Sequence, residues 1–271
     1  MKFRDDYLRR YLELTPAALA VERSVECEIL KEQSFARPIL DVGCGDGIFA
    51  HILFDERLDL GVDIDPEEVA RANTTGAYHK LLVCPGSAIP VGDGSFNTII
   101  SNSVLEHIPD LMPVLSEAHR ILADGGAFFV TLPTDRLEHN SLPARILSAL
   151  GLHKLELQYG KFHNSFWRHF NVHTTIGWRD LFESVGFSIE SERLYASPNF
   201  SSFYDLLMPS AIPSIAAKKL CGRWFLIPTL RQFYCILVDR IVGLVHERLK
   251  RESGSSLVFF KLIKNPVDAD A

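Results

Sequence analysis

The stretch that decides the fold is PILDVGCGDGIFA, residues Pro38–Ala50. It begins with the apolar run Ile39–Val42, is broken by three closely spaced glycines, and resumes as the apolar segment Ile48–Leu53. This order is typical of a buried strand, a tight turn and a helix. Because glycine has no Cβ, such a turn lets a ligand approach the backbone, and the helix N-terminus beyond it offers free N–H groups.

The glycine turn fits neither of two common nucleotide-binding loops. A P-loop ends in Gly-Lys-Ser/Thr, and this turn has no lysine to hold a phosphate. A dinucleotide fingerprint places its third glycine where this chain has Ile48. Asp41, two residues before the first glycine, would repel a pyrophosphate and suits a ligand with positive charge near the turn. An ordinary glycine-rich turn without a ligand is the alternative.

The stretch resembles motif I of the class I S-adenosylmethionine-dependent methyltransferases, and the chain is most similar to their type 11 members. In that motif an acidic residue precedes three alternate glycines. S-adenosylmethionine carries an ammonium and a sulfonium group and no phosphate, which agrees with the carboxylate of Asp41. The resemblance implies that S-adenosylmethionine is the cofactor and that the turn binds it through Asp41, Gly43, Cys44, Gly45 and Gly47.

The second strand is predicted over Asp59–Ile64, and an acidic residue stands at its end. Asp63 follows Gly43 by twenty residues, and a carboxylate there can accept hydrogen bonds from both ribose hydroxyls of an adenosine. The resemblance adds Ile64 to the cofactor site. The alternative makes Asp63 a plain turn residue.

The third predicted strand, Tyr78–Cys84, is followed by a departure from the family pattern. The family has an aspartate soon after this strand, near the adenine amino group. This chain has Cys84-Pro85-Gly86-Ser87 there. The resemblance therefore passes the adenine contact to Ser87 or to a nearby backbone carbonyl.

The fourth predicted strand, Thr98–Ser101, leads into Asn102-Ser103-Val104-Leu105-Glu106-His107. This segment resembles the family motif beside which the reacting methyl group lies. The resemblance implies that Asn102 contacts the cofactor, and it makes His107 the first candidate for a catalytic residue. The run EAHRILADGGAFFVTLP, which ends at Pro133, resembles the family's helix, glycine turn and buried strand.

Alternating strand and helix signals predict an α/β fold with a doubly wound, mostly parallel, Rossmann-like sheet. The resemblance implies an antiparallel last strand, because the strands predicted at Phe187–Leu194 and Ser256–Ile263 would form the family's final pair. A helical insertion would separate them. The predicted divisions are an N-terminal helical segment 1–37, a methyltransferase core 38–194 with 255–265, and an insertion 195–254.

The composition indicates which kinds of binding partner and which cellular compartment to expect. The chain has 271 residues and a net charge of −6, which gives no overall attraction to nucleic acid. Its five cysteines are scattered and odd in number, which favours a reducing compartment and argues against a zinc site. The charged N-terminus does not resemble a signal peptide, and no apolar run is long enough to span a membrane. We expect a cytoplasmic protein.

The N-terminal segment, residues 3–33, has apolar residues at helical spacing among many charges. Pro16 divides it, and Thr15 is a predicted N-cap of the second part. Such a helix could lie over the cofactor cleft or simply flank the sheet, and the sequence leaves both open.

The segment Asp135–Thr175 is predicted to be irregular, and it is rich in histidine and aromatic residues. We expect a lid with aromatic walls that faces the substrate, and ordinary packing is the alternative. His169 and His173 have the i, i+4 spacing of a metal pair, but Asn171 and Val172 between them disfavour a helix. No metal site is predicted.

The insertion 195–254 carries eight basic and four acidic residues, a net charge of +4, which leaves −10 for the rest of the chain. Apolar residues at helical spacing indicate a basic amphipathic helix, which could lie on an anionic membrane surface. They are Phe233, Ile236, Leu237, Ile241, Leu244, Val245 and Leu249. Packing against the core or in a homodimer is the alternative. Pro209, Pro213 and Pro228 are predicted to cut the insertion into short pieces.

Together these features predict methyl transfer from S-adenosylmethionine to a small-molecule or lipid-linked acceptor that is largely apolar. If the acceptor needs a base, His107 is the first candidate, and His169 and His173 follow. Two alternatives stay open: a protein that binds the cofactor without turnover, and an NAD-type oxidoreductase, which Ile48 disfavours. A nucleic-acid methyltransferase is disfavoured by SNSVLEH, which is not the motif of enzymes that flip amino bases.

Overall fold

The computed structural model describes residues 1–222, 224–225, 228–250 and 252–265, and within these ranges it leaves out the side chains of 228–234, 236 and 237. In the insertion, Arg223 and Arg251 therefore lie outside the described residues. The side chains of Arg231, Phe233, Tyr234, Ile236 and Leu237 also lie outside the described set.

A seven-stranded sheet organises the chain. Its strands are β1 Ile39–Val42, β2 Leu58–Asp63, β3 Tyr78–Val83, β4 Phe96–Asn102, β5 Leu122–Pro133, β6 Phe187–Tyr195 and β7 Leu257–Lys264. The spatial order is β3-β2-β1-β4-β5-β7-β6. The first five strands pair in parallel, and β7 is antiparallel to both β5 and β6. The predicted doubly wound sheet and its antiparallel end are confirmed.

Helices connect the strands and cover both faces of the sheet. They are α1 Tyr7–Leu14, α2 Ala17–Lys31, α3 Ile48–Leu53, α4 Pro66–Thr75, α5 Met112–Ile121, α6 Leu137–Asn140, α7 Leu142–Ala149, α8 His153–Trp167, α9 Thr175–Val185, α10 Pro198–Cys221 and α11 Pro228–Leu249. The sheet separates two apolar cores: α2 and α3 pack into one, and α5 and α9 into the other. All four residues of β1 are buried, as expected of a central parallel strand.

The N-terminal helices begin differently from the prediction. Thr15 is not the N-cap of α2, because Pro16 occupies that position and no side chain caps the helix. The Thr15 hydroxyl instead donates to the carbonyl of Tyr11, in the last turn of α1. Thr15 and Pro16 lie between the end of α1 and the beginning of α2. A capping residue at this point in the sequence could therefore belong to either helix.

The segment 135–175 is mainly helical, and the prediction of an irregular lid is wrong in this respect. It contains α6, α7 and α8, and α8 continues for 15 residues through the histidine- and aromatic-rich sequence. Histidine and aromatic residues have middling helix propensity, and packing against neighbouring helices decides their conformation. We call α6, α7, α8 and α10 together the cap.

Pro209 and Pro213 do not interrupt the insertion, although Pro228 does begin a new helix. Both lie inside α10, which runs for 24 residues. A proline inside a helix removes one N–H donor and frees the carbonyl four residues earlier. Since both prolines are exposed, water can satisfy the freed carbonyls. Within the ranges described, no helix has the length and apolar character needed to cross a bilayer.

Candidate functional site

The glycine turn lies between β1 and α3, and its three glycines have positive φ angles, of which Gly47 at 75° is the N-cap of α3. A Cβ on Gly43 would stand 2.4 Å from Cγ1 of Val104, so the loop after β4 lies directly against the turn. A Cβ on Gly45 would meet nothing within 4 Å. The turn therefore exposes its backbone at Gly45 and is closed at Gly43.

Asp63, at the carboxyl end of β2, lies beside this open part of the turn. Its Oδ2 accepts from the Gly45 N–H at 2.9 Å, and its Oδ1 accepts from the Asp65 N–H at 2.9 Å. A carboxylate oxygen has further lone pairs, so each can still accept a hydroxyl. Ile64 next to it is 72% exposed and offers an apolar surface at the same strand end.

Asp41 lies beneath the turn and does not reach its surface. The side chain is buried, and the Tyr78 hydroxyl donates to its Oδ2 at 2.7 Å. Burial raises the pKa of Asp41 to about 7, against the effect of the Tyr78 hydrogen bond, and the nearby Asp63 raises it further. Cys44 is buried as well, whereas Ser87 is exposed beyond β3. Asp41 is therefore bound to Tyr78 of β3 inside the sheet, two residues before the turn begins.

Asn102 is held by a polar cluster that joins β4 to α2. Its amide donates to Glu26 Oε2 at 2.8 Å, and the Thr131 hydroxyl donates to its Oδ1 at 2.9 Å. Glu26 is fully buried and also accepts from Arg23, Ser103 and Tyr195. The N-terminal segment thus packs against the sheet, and its Glu26 also reaches the carboxyl edge. Glu26 and Arg23 gave no motif in the sequence.

A cavity of about 190 Å³ lies over the carboxyl ends of β4 and β5, and we call it the acceptor cavity after the role proposed for it below. Helix α2 supplies Glu22 and Arg23 to its wall, and the loop after β4 supplies Ser103, Glu106 and His107. The opposite wall comes from the cap and contains His163, Trp167, Phe200 and Tyr204. Apolar and titratable side chains therefore line the same cavity.

The loop after β4 and the end of α8 meet beside this cavity. Glu106 is buried, its Oε2 has no hydrogen-bond partner, and burial raises its pKa to about 8. The backbone carbonyl of Glu106 accepts from the N–H of Phe170 at 2.8 Å. Arg168 ends α8 in the left-handed conformation, with φ 55°, and the chain then turns back so that His169 faces His107.

The three histidines predicted as base candidates do not meet at one place. The rings of His107 and His169 are 5.2 Å apart, and both residues line the acceptor cavity. His173 instead packs its ring against Trp178 at 4.6 Å. Burial lowers the pKa of His107 and lowers that of His169 to about 3. His163, in the same cavity, is a further buried histidine that the sequence did not single out as a base.

The cap also contacts the glycine turn. Lys218, in the last turn of α10, places its Nζ 2.8 Å from Asp46 and 3.2 Å from Glu68. The Trp224 indole donates to the same oxygen of Asp46 at 3.2 Å, and Lys218 lies 4.4 Å from the centre of that ring. Asp46 of the glycine turn is thus bound by Lys218 near the end of α10 and by Trp224 just after it.

Sequence comparisons find relatives of this chain. Residues 40–130 match the family model described as a methyltransferase domain. The chain is 31% identical over 107 residues to a probable S-adenosylmethionine-dependent methyltransferase of Mycolicibacterium smegmatis, an alignment that covers 38% of this chain and 41% of that relative.

Solved structures share the fold over most of the chain. A methyltransferase from Thermotoga maritima gives a TM-score of 0.54 at 16% identity and covers 92% of this chain and 91% of that one. Geranyl diphosphate C-methyltransferase from Streptomyces coelicolor, in complex with Mg²⁺, geranyl diphosphate and S-adenosyl-L-homocysteine, gives 0.54 at 14% identity, with 92% and 84% covered.

Fold, motif order and family model together identify a methyltransferase domain over residues 40–130 that is similar to class I S-adenosylmethionine-dependent methyltransferases. S-adenosylmethionine is the cofactor of the class. The alignment with the mycobacterial relative spans about two fifths of that protein, and the residues that match the family model, 40–130, end before the cap.

Proposed function

We propose that the protein transfers a methyl group from S-adenosylmethionine to a small-molecule acceptor bound in the acceptor cavity. One observation carries the proposal. Ser103 and Glu106 line the cavity, and Val104, between them, lies against Gly43 of the glycine turn. A single loop thus separates the turn proposed to bind the cofactor from the cavity proposed to bind the acceptor.

The cofactor would lie along the carboxyl ends of β1 and β2. Asp63 would accept the ribose hydroxyls, and the exposed Ile64 would contact the adenine ring. Gly45 would present its backbone to the cofactor, while Asp41 would support the turn through Tyr78 and act on the positively charged methionine end from below. Gly43, Cys44, Gly47, Ser87 and Asn102 complete the proposed set.

The chemistry asks the protein mainly to align three atoms. The acceptor attacks the methyl carbon, the carbon–sulfur bond breaks, and the electron pair stays on sulfur. The sulfonium is already activated, so orientation supplies most of the rate. A base is needed only for a hydroxyl or carbon acid, and His107, which lines the cavity, is the candidate, with His169 beside it.

The cavity supports an acceptor with an apolar body and a polar end. Trp167 and Phe200 offer apolar surface, whose burial is worth about 25 cal/mol per Å². Glu22 and Glu106 line the same cavity, and burial raises the pKa of Glu22 to about 7. A lipid-linked molecule with one polar reacting group fits this mixture.

The surface of the cap supports delivery of such an acceptor from a membrane. Phe162, Phe166 and Phe170 are each about 60% exposed, and the first two rings are 5.9 Å apart. On α10, Leu206 is 65% and Leu220 is 82% exposed. Peripheral attachment to the cytoplasmic face of an anionic membrane would cover such residues, and a second copy of the chain is the alternative cover.

Not every basic residue of the insertion can serve this attachment. Lys218 is paired with Asp46 and Glu68, and Lys250 with Glu28 and Glu247, so neither is available to lipid headgroups. Lys219, Arg240 and Arg248 are exposed and are the better candidates.

Mass spectrometry tests the transfer itself. Small-molecule and lipid extracts are incubated with the protein and S-adenosylmethionine labelled on the methyl group. We expect one labelled product class, which the Asp63→Ala variant fails to produce. A protein that binds the cofactor yet labels nothing would support the alternative of binding without turnover, and preferential binding of NAD would support an oxidoreductase.

A further inference from the structure

We infer that Glu106, His107 and His169 form a binding site for one divalent transition-metal cation, such as Zn²⁺, at the wall of the acceptor cavity. Each residue offers one ligand atom, and these atoms lie within 4.8 Å of one another. Two histidines and one carboxylate are a donor set that suits such cations in proteins. From the sequence alone, a metal site is considered only for the pair His169 and His173. In the structure His173 packs elsewhere, against Trp178.

Two of the three groups have a buried polar atom without a hydrogen-bond partner. Glu106 is 3% exposed, and its Oε2 accepts no hydrogen bond. The Nδ1 atom of His169 is buried without a partner too. The nearest approach of Glu106 to His107 is 3.8 Å, too long for a hydrogen bond. A cation would satisfy lone pairs that otherwise carry a desolvation cost.

The backbone prepares His107 as a ligand. Its Nδ1 lies 3.2 Å from the carbonyl oxygen of Arg168, and a carbonyl can only accept, so Nδ1 carries the proton. The lone pair is then on Nε2, the atom closest to Glu106. A hydrogen bond of this kind at the second ring nitrogen is the usual support of a metal-binding histidine.

The geometry needs only a small contraction. Three atoms that were all 4.8 Å apart would lie about 2.8 Å from their common centre. Ligand distances near 2.1 Å would then require each side chain to move inwards by about 0.7 Å. The backbone hydrogen bond between Glu106 and Phe170 holds the two segments together, so side-chain rotation would have to supply the contraction.

All three residues line the acceptor cavity, so the position left open by the protein would face the acceptor. An oxygen atom of the acceptor could take that position. A bound cation would also use the lone pair that His107 needs as a base, so the two roles exclude each other. Cation binding itself does not depend on methyl transfer and can be measured without an acceptor.

Titration of untagged, chelator-treated protein with Co²⁺ and Zn²⁺ tests the site. We expect one Co²⁺ per chain with a visible ligand-field spectrum, and a rise in melting temperature with Zn²⁺. Glu106→Gln, His107→Gln and His169→Gln should each weaken binding at least tenfold. His153→Gln is the matched control, since His153 is an exposed histidine 3.4 Å from Glu156.

Circular dichroism and S-adenosylmethionine affinity show whether each variant is folded. Binding that is absent from the wild type, or that His153→Gln weakens as much as the three ligand variants do, would overturn the metal site. Loss of methyl transfer with intact Co²⁺ binding, or the reverse, separates this proposal from the proposed function.

Discussion

The glycine turn and the cap stand on opposite sides of the proposed reaction, and they are specified in different ways. The turn is specified locally: Gly43, Gly45 and Gly47 have the backbone angles that their sequence pattern predicts. The cap is specified by packing, since α10 holds two prolines and α8 a run of histidines and aromatic residues. Local pattern thus predicts the proposed cofactor side in detail, whereas the walls of the proposed acceptor side are defined by the assembled fold.

The largest expected effect tests how the turn is supported. Asp41 keeps its proton up to a pH of about 7 when folded, whereas the unfolded chain releases it near 3.8. Stability from this group is therefore full below pH 3.8 and is lost as pH rises to about 7. Relative to Asp41→Asn, the wild type should lose up to about 4 kcal/mol across that window. Urea unfolding of both proteins at a series of pH values measures it, and parallel curves would contradict it.

The same Asp41→Asn variant should bind S-adenosylmethionine more weakly at pH 8, where the wild-type carboxylate is charged and the ligand is cationic. Asp41→Asn would then lose less stability than the wild type as the pH rises to neutral, and yet bind S-adenosylmethionine more weakly. Unchanged affinity for S-adenosylmethionine would show that Asp41 only orients the turn.

Removing the proposed ribose acceptor comes next in size. Asp63→Ala should reduce S-adenosylmethionine affinity by roughly 2–4 kcal/mol, because two hydroxyl hydrogen bonds to a charged group are lost. Calorimetry measures it. Asp59→Ala is the control, since Asp59 lies at the other end of the same strand and accepts from the Ile39 N–H. Equal losses in both variants would indicate general destabilisation.

Lys218 tests whether the two sides are coupled. Lys218→Met removes the ion pairs to Asp46 and Glu68, and we expect S-adenosylmethionine affinity to fall by about 1 kcal/mol because the turn loses its cover. Lys219→Met is the control, as Lys219 is the exposed neighbour on the same helix. If both variants bind the cofactor like the wild type, the cap and the turn act independently.

The last prediction concerns the surface of the cap and of α11. We expect flotation with anionic vesicles that weakens at high salt, and neutralising Lys219, Arg240 and Arg248 should cost about 1 kcal/mol each. Neutral vesicles provide the reference. Protein that never floats and elutes as a dimer would favour a second copy as the cover, and Phe166→Ser should then dissociate it.

The sequence predicted the sheet well because each βα unit carries its own signals. Apolar strands, glycine turns and capped helices such as Asp65-Pro66 all lie within a few residues of one another. The polar cluster around Glu26 could not be predicted in this way. It joins Glu26 to Asn102 and Ser103, more than 70 positions away, and no local rule reports such a contact.

The same limit applies to the candidate cation site. Glu106 and His107 are adjacent in the quoted motif, but His169 reaches them only because Arg168 reverses the chain at the end of α8. The i, i+4 rule pointed to His173 instead. For α10, the rule that proline breaks a helix failed because Pro209 and Pro213 both face solvent.

The two ends of the insertion lie in direct contact at the edge of the sheet. Tyr195 pairs with Leu257, the N–H groups of Ser255 and Ser256 both donate to the carbonyl of Ala196, and a Cβ on Gly254 would lie 2.1 Å from the Tyr195 backbone. Because the two ends of the insertion are already in contact, the entropic cost of closing it grows only slowly with its length. We therefore expect that insertions of other lengths can be accommodated between β6 and β7 without a change in strand register.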